Sequence, residues 1–204
     1  MIQPKIGYPI ALFAVAGIAL ALNHGPVAST YTIVPQESTE ITKAGTPFDK
    51  MMAVLTHERC VNCHPNDNIP KQGKDSHPHY FGIQGGTDDM GYEATKCTTC
   101  HQSENNDYSG VPGAPEWALA PAEMFWEGLN RIEIAKSMMD PKRNGGRTPE
   151  ETMHHLTEHK LVLWAWEPGV DANGKQREPP PVPKDEYIAA VKQWFKEGHT
   201  IPAE

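Results

Sequence analysis

The hydrophobic pattern of the chain begins with an uncharged run near its N-terminus. Residues 6–22 contain no charged side chain over 17 positions, and Lys5 precedes them. A membrane anchor needs roughly 17–25 apolar residues, whereas a cleaved signal peptide needs a shorter stretch and small residues at the cut, which 27–29 offer. We expect residues 1–29 to be a transmembrane anchor or a signal peptide. The length of the run favours an anchor that holds the protein on the periplasmic side, the alternative being a soluble periplasmic protein after cleavage.

Helix-start signals divide the rest of the chain. Thr46-Pro47 predicts a helix that leads toward position 60, and Thr148-Pro149 with Glu151 predicts another helix that runs to about 163. A further helical stretch is expected at about 121–139. The last helix is predicted over 184–196 and ends before Gly198. Its apolar stripe, at the spacing of a helix that packs on a core, consists of Tyr187, Ile188, Val191, Trp194 and Phe195.

Between these elements the chain is polar and rich in residues that favour loops. Gly 17 and Pro 19 make 36 of the 204 residues, and only 38% of the residues are apolar. Residues 30–46 carry no periodic pattern, and we expect them to be a flexible tether. Residues 47–204 are predicted to form one mainly α, loop-rich domain. Because mean hydropathy is −0.55, a multi-span membrane protein is excluded.

The charge balance excludes a further class of function. With 18 Lys+Arg against 26 Asp+Glu the net charge is −8, whereas a nucleic-acid binder carries a basic surface that neutralises phosphates. Cysteine is sparse at 4, but there are 10 histidines and 8 methionines. This composition indicates ligand chemistry.

The four cysteines occur in two C-x-x-C-H motifs that together use every cysteine of the chain. This motif is the attachment signature of c-type haem, because two thiols three residues apart can each add to one vinyl group of a porphyrin. The histidine that follows then binds the iron. The sequence therefore predicts two haem c groups. Their thioether residues are Cys60, Cys63, Cys97 and Cys100, and their proximal iron ligands are His64 and His101.

Other uses of paired cysteines fit the chain less well. The gap between Cys63 and Cys97 exceeds the usual loop of a zinc ribbon, and an oxidising compartment disfavours free thiolates. A thioredoxin-like site needs alternating strands and helices, which the pattern lacks. A disulfide within a C-x-x-C pair is strained and rare as scaffolding.

The sixth coordination position of each iron decides what the protein can do. For the first haem we expect His79 as the distal ligand, with His77 as second choice, on a loop over 65–91 that covers the porphyrin. For the second haem we expect His155, on one helix face with His159. Methionine at position 124 is the main rival, and Met138 and Met139 follow.

A longer series of short motifs accompanies the haem signatures. It comprises Pro65 after the first motif, Gln72-Gly73, Pro78-His79, 111–115, 119–121, 140–146, His155 and 161–169. Together they resemble a small dihaem c-type cytochrome family whose members are often labelled as cytochrome partner subunits of molybdenum hydroxylases of the isoquinoline or aldehyde oxidoreductase type. The resemblance implies an exported electron carrier, with His79 and His155 at histidine positions of the family pattern and Met124 at a methionine position.

These observations predict a one-electron relay between redox partners, not an enzyme. The acidic surface favours a partner with a basic docking face, and an N-terminal anchor would join the protein to a membrane-bound electron-transfer complex. Two alternatives stay open. One is a dihaem peroxidase or reductase with one open iron, assisted by His154 or Glu158. The other is a fixed cytochrome subunit of a respiratory, photosynthetic or filamentous assembly.

Overall fold

Helices carry most of the regular structure of the computed structural model, which describes residues 45–203. A mainly α, loop-rich body was predicted, and this is confirmed. In the described range the α-helices are α1 (Pro47–Leu55), α2 (Glu58–Val61), α3 (Cys97–Cys100), α4 (Arg131–Met139), α5 (Pro149–Glu158), α6 (Lys160–Leu163) and α7 (Lys184–Lys196). Short 3₁₀ turns lie at Tyr80–Gly82, Glu93–Thr95, Ala122–Met124 and Trp164–Trp166.

The predicted N-terminal segment lies outside the described residues. This concerns the anchor or signal peptide over 1–29 and nearly all of the tether over 30–46. Among residues 45–203, no helix is both long enough and apolar enough to cross a bilayer.

Local capping chemistry explains where the longer helices begin. Thr46 caps α1, its hydroxyl accepting from the Asp49 amide while the Asp49 carboxylate accepts from the Thr46 amide. Thr148 and Glu151 form the same reciprocal box at the start of α5. Each box satisfies amides that have no partner within the helix. Both starts and the bounds of α7 match the prediction.

Two predicted helix bounds are wrong. The stretch expected at 121–139 is a 3₁₀ turn followed by a separate α4, because Gly128 has φ +81 and Asn130 caps a new helix. The helix expected to run to about 163 ends at Glu158, because His159 takes extended dihedrals (φ −69, ψ 126) and α6 begins after it. The chain therefore bends at His159.

The core lies where α1 and α5 pack against α7, with α4 packed against α1 and α5. Along α7, Tyr187, Val191 and Trp194 are buried, while Ile188 and Phe195 pack against the core from its edge. Each fully buried apolar side chain of this size contributes about 1.5–3 kcal/mol to the free energy of unfolding. The other large buried side chains of this cluster are Phe48, Met51, Met52, Val54, Leu55, Trp126, Ile132, Ile134, Met138, Leu156 and Val182.

A two-stranded hairpin holds the loop between the two cysteine motifs. Strand β1 (Lys71–Gln72) pairs antiparallel with β2 (His77–Pro78), with Lys71 opposite Pro78. Directly after β2, the amide of His79 donates to the carbonyl of Pro70 at 2.8 Å. The hairpin therefore fixes the main chain at His79.

Candidate functional site

The first cysteine motif lies on α2 and the turn that follows it. The His64 amide donates to the Val61 carbonyl at 2.9 Å, so the helical course continues through both cysteines. Cys60 and Cys63 are one turn apart, and both line the same cavity. All four cysteines of the chain are free of disulfide bonds.

This cavity is open to solvent on one side and has a volume of about 270 Å³ that a water molecule can reach. Its walls come from α2, the 116–126 segment, the loop over 143–147, α5 and α6. The lining is mostly apolar, and it includes Leu55, Leu119, Trp126, Met138, Leu156 and Trp164. Such a lining suits a large, flat and mainly apolar group.

The imidazole of His64 is held from two sides. Its Nδ1 donates to the main-chain oxygen of Met124 at 2.7 Å, and its ring stacks on Trp126 with centroids 3.9 Å apart and planes at 6°. Burial lowers the pKa of His64 to about 4, so the ring is neutral at pH 7. Since Nδ1 carries the proton, the lone pair of Nε2 is free to bind a metal.

His101 in the second motif repeats this arrangement. Its Nδ1 donates to the main-chain oxygen of Pro112 at 2.7 Å, and its ring stacks on Trp117 with centroids 4.4 Å apart and planes at 4°. Burial lowers the pKa of this imidazole as well. Trp117 and Trp126 were not singled out from the sequence, since no local pattern pairs either tryptophan with the histidine on which it stacks.

His79 lies beside the second motif. Its ring centroid is 6.0 Å from that of His101, with the planes at 72°, and its Nδ1 donates to the Tyr80 carbonyl at 2.9 Å. We expected His79 beside the first motif, and the structure differs because the hairpin carries the 65–91 loop over to α3. His77 lies within the hairpin, where it contacts Asp75 at 2.6 Å and Gln72 at 3.0 Å.

His155 lies beside the first motif, not the second as expected. It projects from α5 into the cavity that His64 also lines. Desolvation, followed by the nearby charge of Arg147, lowers the pKa of His155 to about 4, and His64 is among the further groups that lower it. His155 is therefore neutral at pH 7 and can act as a ligand.

The other candidate side chains divide between the cavity wall and the surface. His159 is 4.7 Å from His155 between ring centroids, and its Nε2 pairs with Glu116 at 3.0 Å. Met124 and Met138 line the cavity, and Met139 packs at the edge of the core. His154 is exposed and pairs with Glu158 at 3.1 Å.

Unpartnered polar atoms give a test of whether haem fits the cavity. Arg143 Nη2, Thr152 Oγ1 and His159 Nδ1 are buried without a hydrogen-bond partner among residues 45–203, and all three residues line the cavity. Buried donors normally have partners, and the two propionates of a haem would supply acceptors, with arginine the preferred partner of a carboxylate. The cavity thus offers two thiols, a free imidazole nitrogen, apolar walls and unpartnered hydrogen-bond donors. These features fit a covalently bound haem.

The thiols of the first motif are neutral. Burial raises the pKa of Cys60 to about 12 and that of Cys63 to about 11. Cys97 is close enough to add to the rise in the pKa of Cys63, so the two motifs are neighbours in space.

Within the described range, no group of three or more His, Cys, Asp or Glu side chains is arranged to hold a metal ion.

Comparison of the chain with protein-family models, with curated proteins and with solved structures gives no match in any of the three.

Proposed function

We propose that this protein is an exported dihaem c-type cytochrome that carries single electrons between redox partners. One observation carries the proposal: His64 and His101 each follow a C-x-x-C pair, each donates Nδ1–H to a main-chain carbonyl, and each stacks on a tryptophan. This leaves Nε2 of both rings free for iron. Haem c, when bound, supplies a one-electron iron couple.

For the second haem we propose His79 as the distal ligand. An imidazole nitrogen binds a first-row metal at about 2 Å, so two imidazoles on opposite sides of one ion have ring centroids about 6 Å apart. The separation of His79 and His101 is 6.0 Å. Both rings donate from Nδ1 to carbonyl oxygens, so both Nε2 atoms are free.

For the first haem we propose His155 as the distal ligand in preference to Met124. The main-chain oxygen of Met124 is bonded to Nδ1 of His64, and Nδ1 and Nε2 point in nearly opposite directions from an imidazole ring. If Nε2 held iron, the main chain of Met124 would therefore lie on the same side of the iron as His64. His155 comes from α5, a separate wall of the same cavity.

Closed coordination at both sites supports a carrier in preference to an enzyme. If His64 and His155 held one iron and His79 and His101 the other, no position would be left for a substrate, and two histidines would keep the potential below that of a histidine–methionine pair. The hydrogen bonds and tryptophan stacks hold both proximal rings in one orientation. Arg143 and Arg147 line the cavity, where they could pair with propionates.

The proposed partners follow from charge and from the N-terminal run. A net charge of −8, to which haem propionates add, favours a redox protein with a basic docking face. Residues 6–22, kept as an anchor, would join the carrier to a membrane-bound complex. The resemblance to cytochrome partners of molybdenum hydroxylases suggests such an enzyme as one donor of electrons.

A second candidate function rests on one feature beside His155. An open cleft of about 380 Å³ adjoins it, lined by Gly145, Gly146, Arg147, Glu151 and His154. Release of His155 would expose the first iron toward this cleft, as a peroxidase or reductase requires. Carbon monoxide added to the ferrous protein separates the two functions: a carrier with closed sites does not bind it, and an enzyme with an open iron does.

Intact mass and a pyridine haemochrome titration of the purified mature protein test the proposal. We expect the mass of the polypeptide plus two haems, and one haem fewer in each double variant, C60S/C63S and C97S/C100S. A colourless protein, or a mass equal to that of the bare polypeptide, would refute the proposal.

A further inference from the structure

Two tryptophans form a chain of direct contacts between the two proposed haem sites. Trp117 stacks on His101 in the second site. Its ring also meets Trp164 edge to face, with centroids 4.9 Å apart and planes at 80°. Trp164 in turn lines the cavity of the first site. The ring of an iron ligand at one site is thus connected to the wall of the other site through two indoles.

Asn105 holds this contact in position. Its Oδ1 accepts from Trp164 Nε1 at 2.9 Å and from the Gly113 amide at 3.0 Å, and its Nδ2 donates to the Glu167 carbonyl at 2.7 Å. Gly113 directly follows Pro112, whose carbonyl orients His101. One amide side chain therefore ties the support of His101 to the indole that lines the first cavity.

The fold also makes room for Asn105. A Cβ at Gly169 would lie 2.9–3.1 Å from the Asn105 side chain, and Gly169 has φ +65. Glycine is the residue that accepts both the close approach and the left-handed conformation.

Trp166 lies in the same 3₁₀ turn as Trp164 but packs against the hydrophobic core. Its Nε1 donates to the Val182 carbonyl at 2.8 Å, and its ring packs on Tyr187 with centroids 4.8 Å apart. It does not line the cavity. Trp164, by contrast, lines the cavity and also contacts Trp117, the tryptophan that stacks on His101.

We propose that Trp117 and Trp164, held by Asn105, form an aromatic bridge that couples the two haem sites and sets the rate of electron exchange between them. The inference rests on the proposed dihaem function. In this exchange one electron leaves one iron and arrives at the other, and neither indole is oxidised. Rings in van der Waals contact provide stronger electronic coupling than an aliphatic side chain, so the bridge favours fast exchange. Trp117, Trp164 and Asn105 are positioning residues in this proposal, since Trp117 acts through His101.

The test uses W164L, W164F and N105A in the full-length, haem-loaded protein, with W166F as the matched control. Pulse radiolysis injects one electron per oxidised molecule, and absorbance follows its exchange between the two sites. We expect several-fold slower exchange in W164L, a smaller effect in W164F and the wild-type rate in W166F. In N105A we expect slower exchange together with changed EPR g values of the haem bound by His101, because Pro112 and Trp164 both lose their common support.

Wild-type exchange in a W164L protein that carries two low-spin haems would overturn the bridge. If W164L does not take up both haems, the exchange rates of W164F and N105A test the bridge instead. Wild-type exchange rates in both of these variants would overturn the bridge. If Trp164 had only a structural role, W164F and W166F would lose similar amounts of stability, and W164F would keep the wild-type exchange rate. The haem count of the wild type is measured first, and a count below two refutes the dihaem function, a failure distinct from that of the bridge.

Discussion

The imidazoles of His79 and His101 are neighbours, with ring centroids 6.0 Å apart and planes at 72°. The two rings come from different elements, His79 from the end of a hairpin and His101 from the turn after α3. Each donates Nδ1–H to a main-chain carbonyl, of Tyr80 and of Pro112 respectively. This centroid separation is close to that of two imidazoles that bind one metal ion through Nε2.

The pair leads to a prediction for H79A. Removal of this imidazole opens one of the two proposed iron sites, so about half of the ferric low-spin signal should become high-spin. Covalent attachment should not change, and added imidazole should restore the low-spin form. H77A is the control, because His77 is engaged with Asp75 and Gln72. EPR of both variants checks this, and an unaltered spectrum of H79A removes His79 as a ligand.

The first site gives a prediction that separates His155 from Met124. H155A should become partly high-spin and bind carbon monoxide when reduced, because the proposed distal ligand is lost. M124L should keep the low-spin spectrum, since leucine is similar in size and the carbonyl that accepts from His64 is retained. A high-spin M124L with an unchanged H155A would assign the ligand to Met124.

Gly113 gives a prediction about the support of His101. A Cβ at this position would meet the main-chain oxygens of Gln102 and Glu104, so G113A should lower the free energy of unfolding by about 1–3 kcal/mol. It should also change the EPR g values of the second haem, because Pro112 moves with Gly113.

G174A is the matched control for G113A. Gly174 has φ +75 and open space around its Cβ position, so alanine there should cost about 1 kcal/mol through conformation alone. Urea unfolding and EPR of both variants test the pair. Equal spectra in G113A and wild type would contradict the role given to Pro112.

The pH dependence of stability has a predictable contribution from Asp49. Its hydrogen bonds with Arg131 and Thr46 hold the pKa of this carboxyl below its usual value of 3.8. Because the folded pKa is lower than the unfolded one, the contribution is present above pH 3.8 and is lost as the pH falls through the folded value. D49N should therefore be less stable than wild type at pH 7 by about 1 kcal/mol or less, since the pair is partly exposed.

Urea unfolding at a series of pH values checks the Asp49 prediction. The difference between wild type and D49N should stay constant from neutral pH down to about 5 and narrow below 3.8. E104Q serves as control, since Glu104 has no ion pair among residues 45–203. A difference that grows toward acid pH would contradict the assignment.

Helix starts and the cysteine motifs could be read from residue order because their chemistry is local. Thr46 and Thr148 cap helices through partners three residues away, and the stripe of α7 follows from the period of one helix. A helix end that depends on a single bend was harder to predict. At His159, no residue within one helical turn marks the extended dihedrals that end α5.

Residue order alone was therefore enough for two C-x-x-C-H motifs, the main helices and a shortlist of distal histidines. Only the folded chain decided which histidine faces which motif, and which tryptophan stacks on which ring. These pairings join residues far apart in sequence, such as His64 with Trp126 and with His155. They depend on how the hairpin and α5 pack, and packing is decided by the sum of many weak contacts that no short motif records.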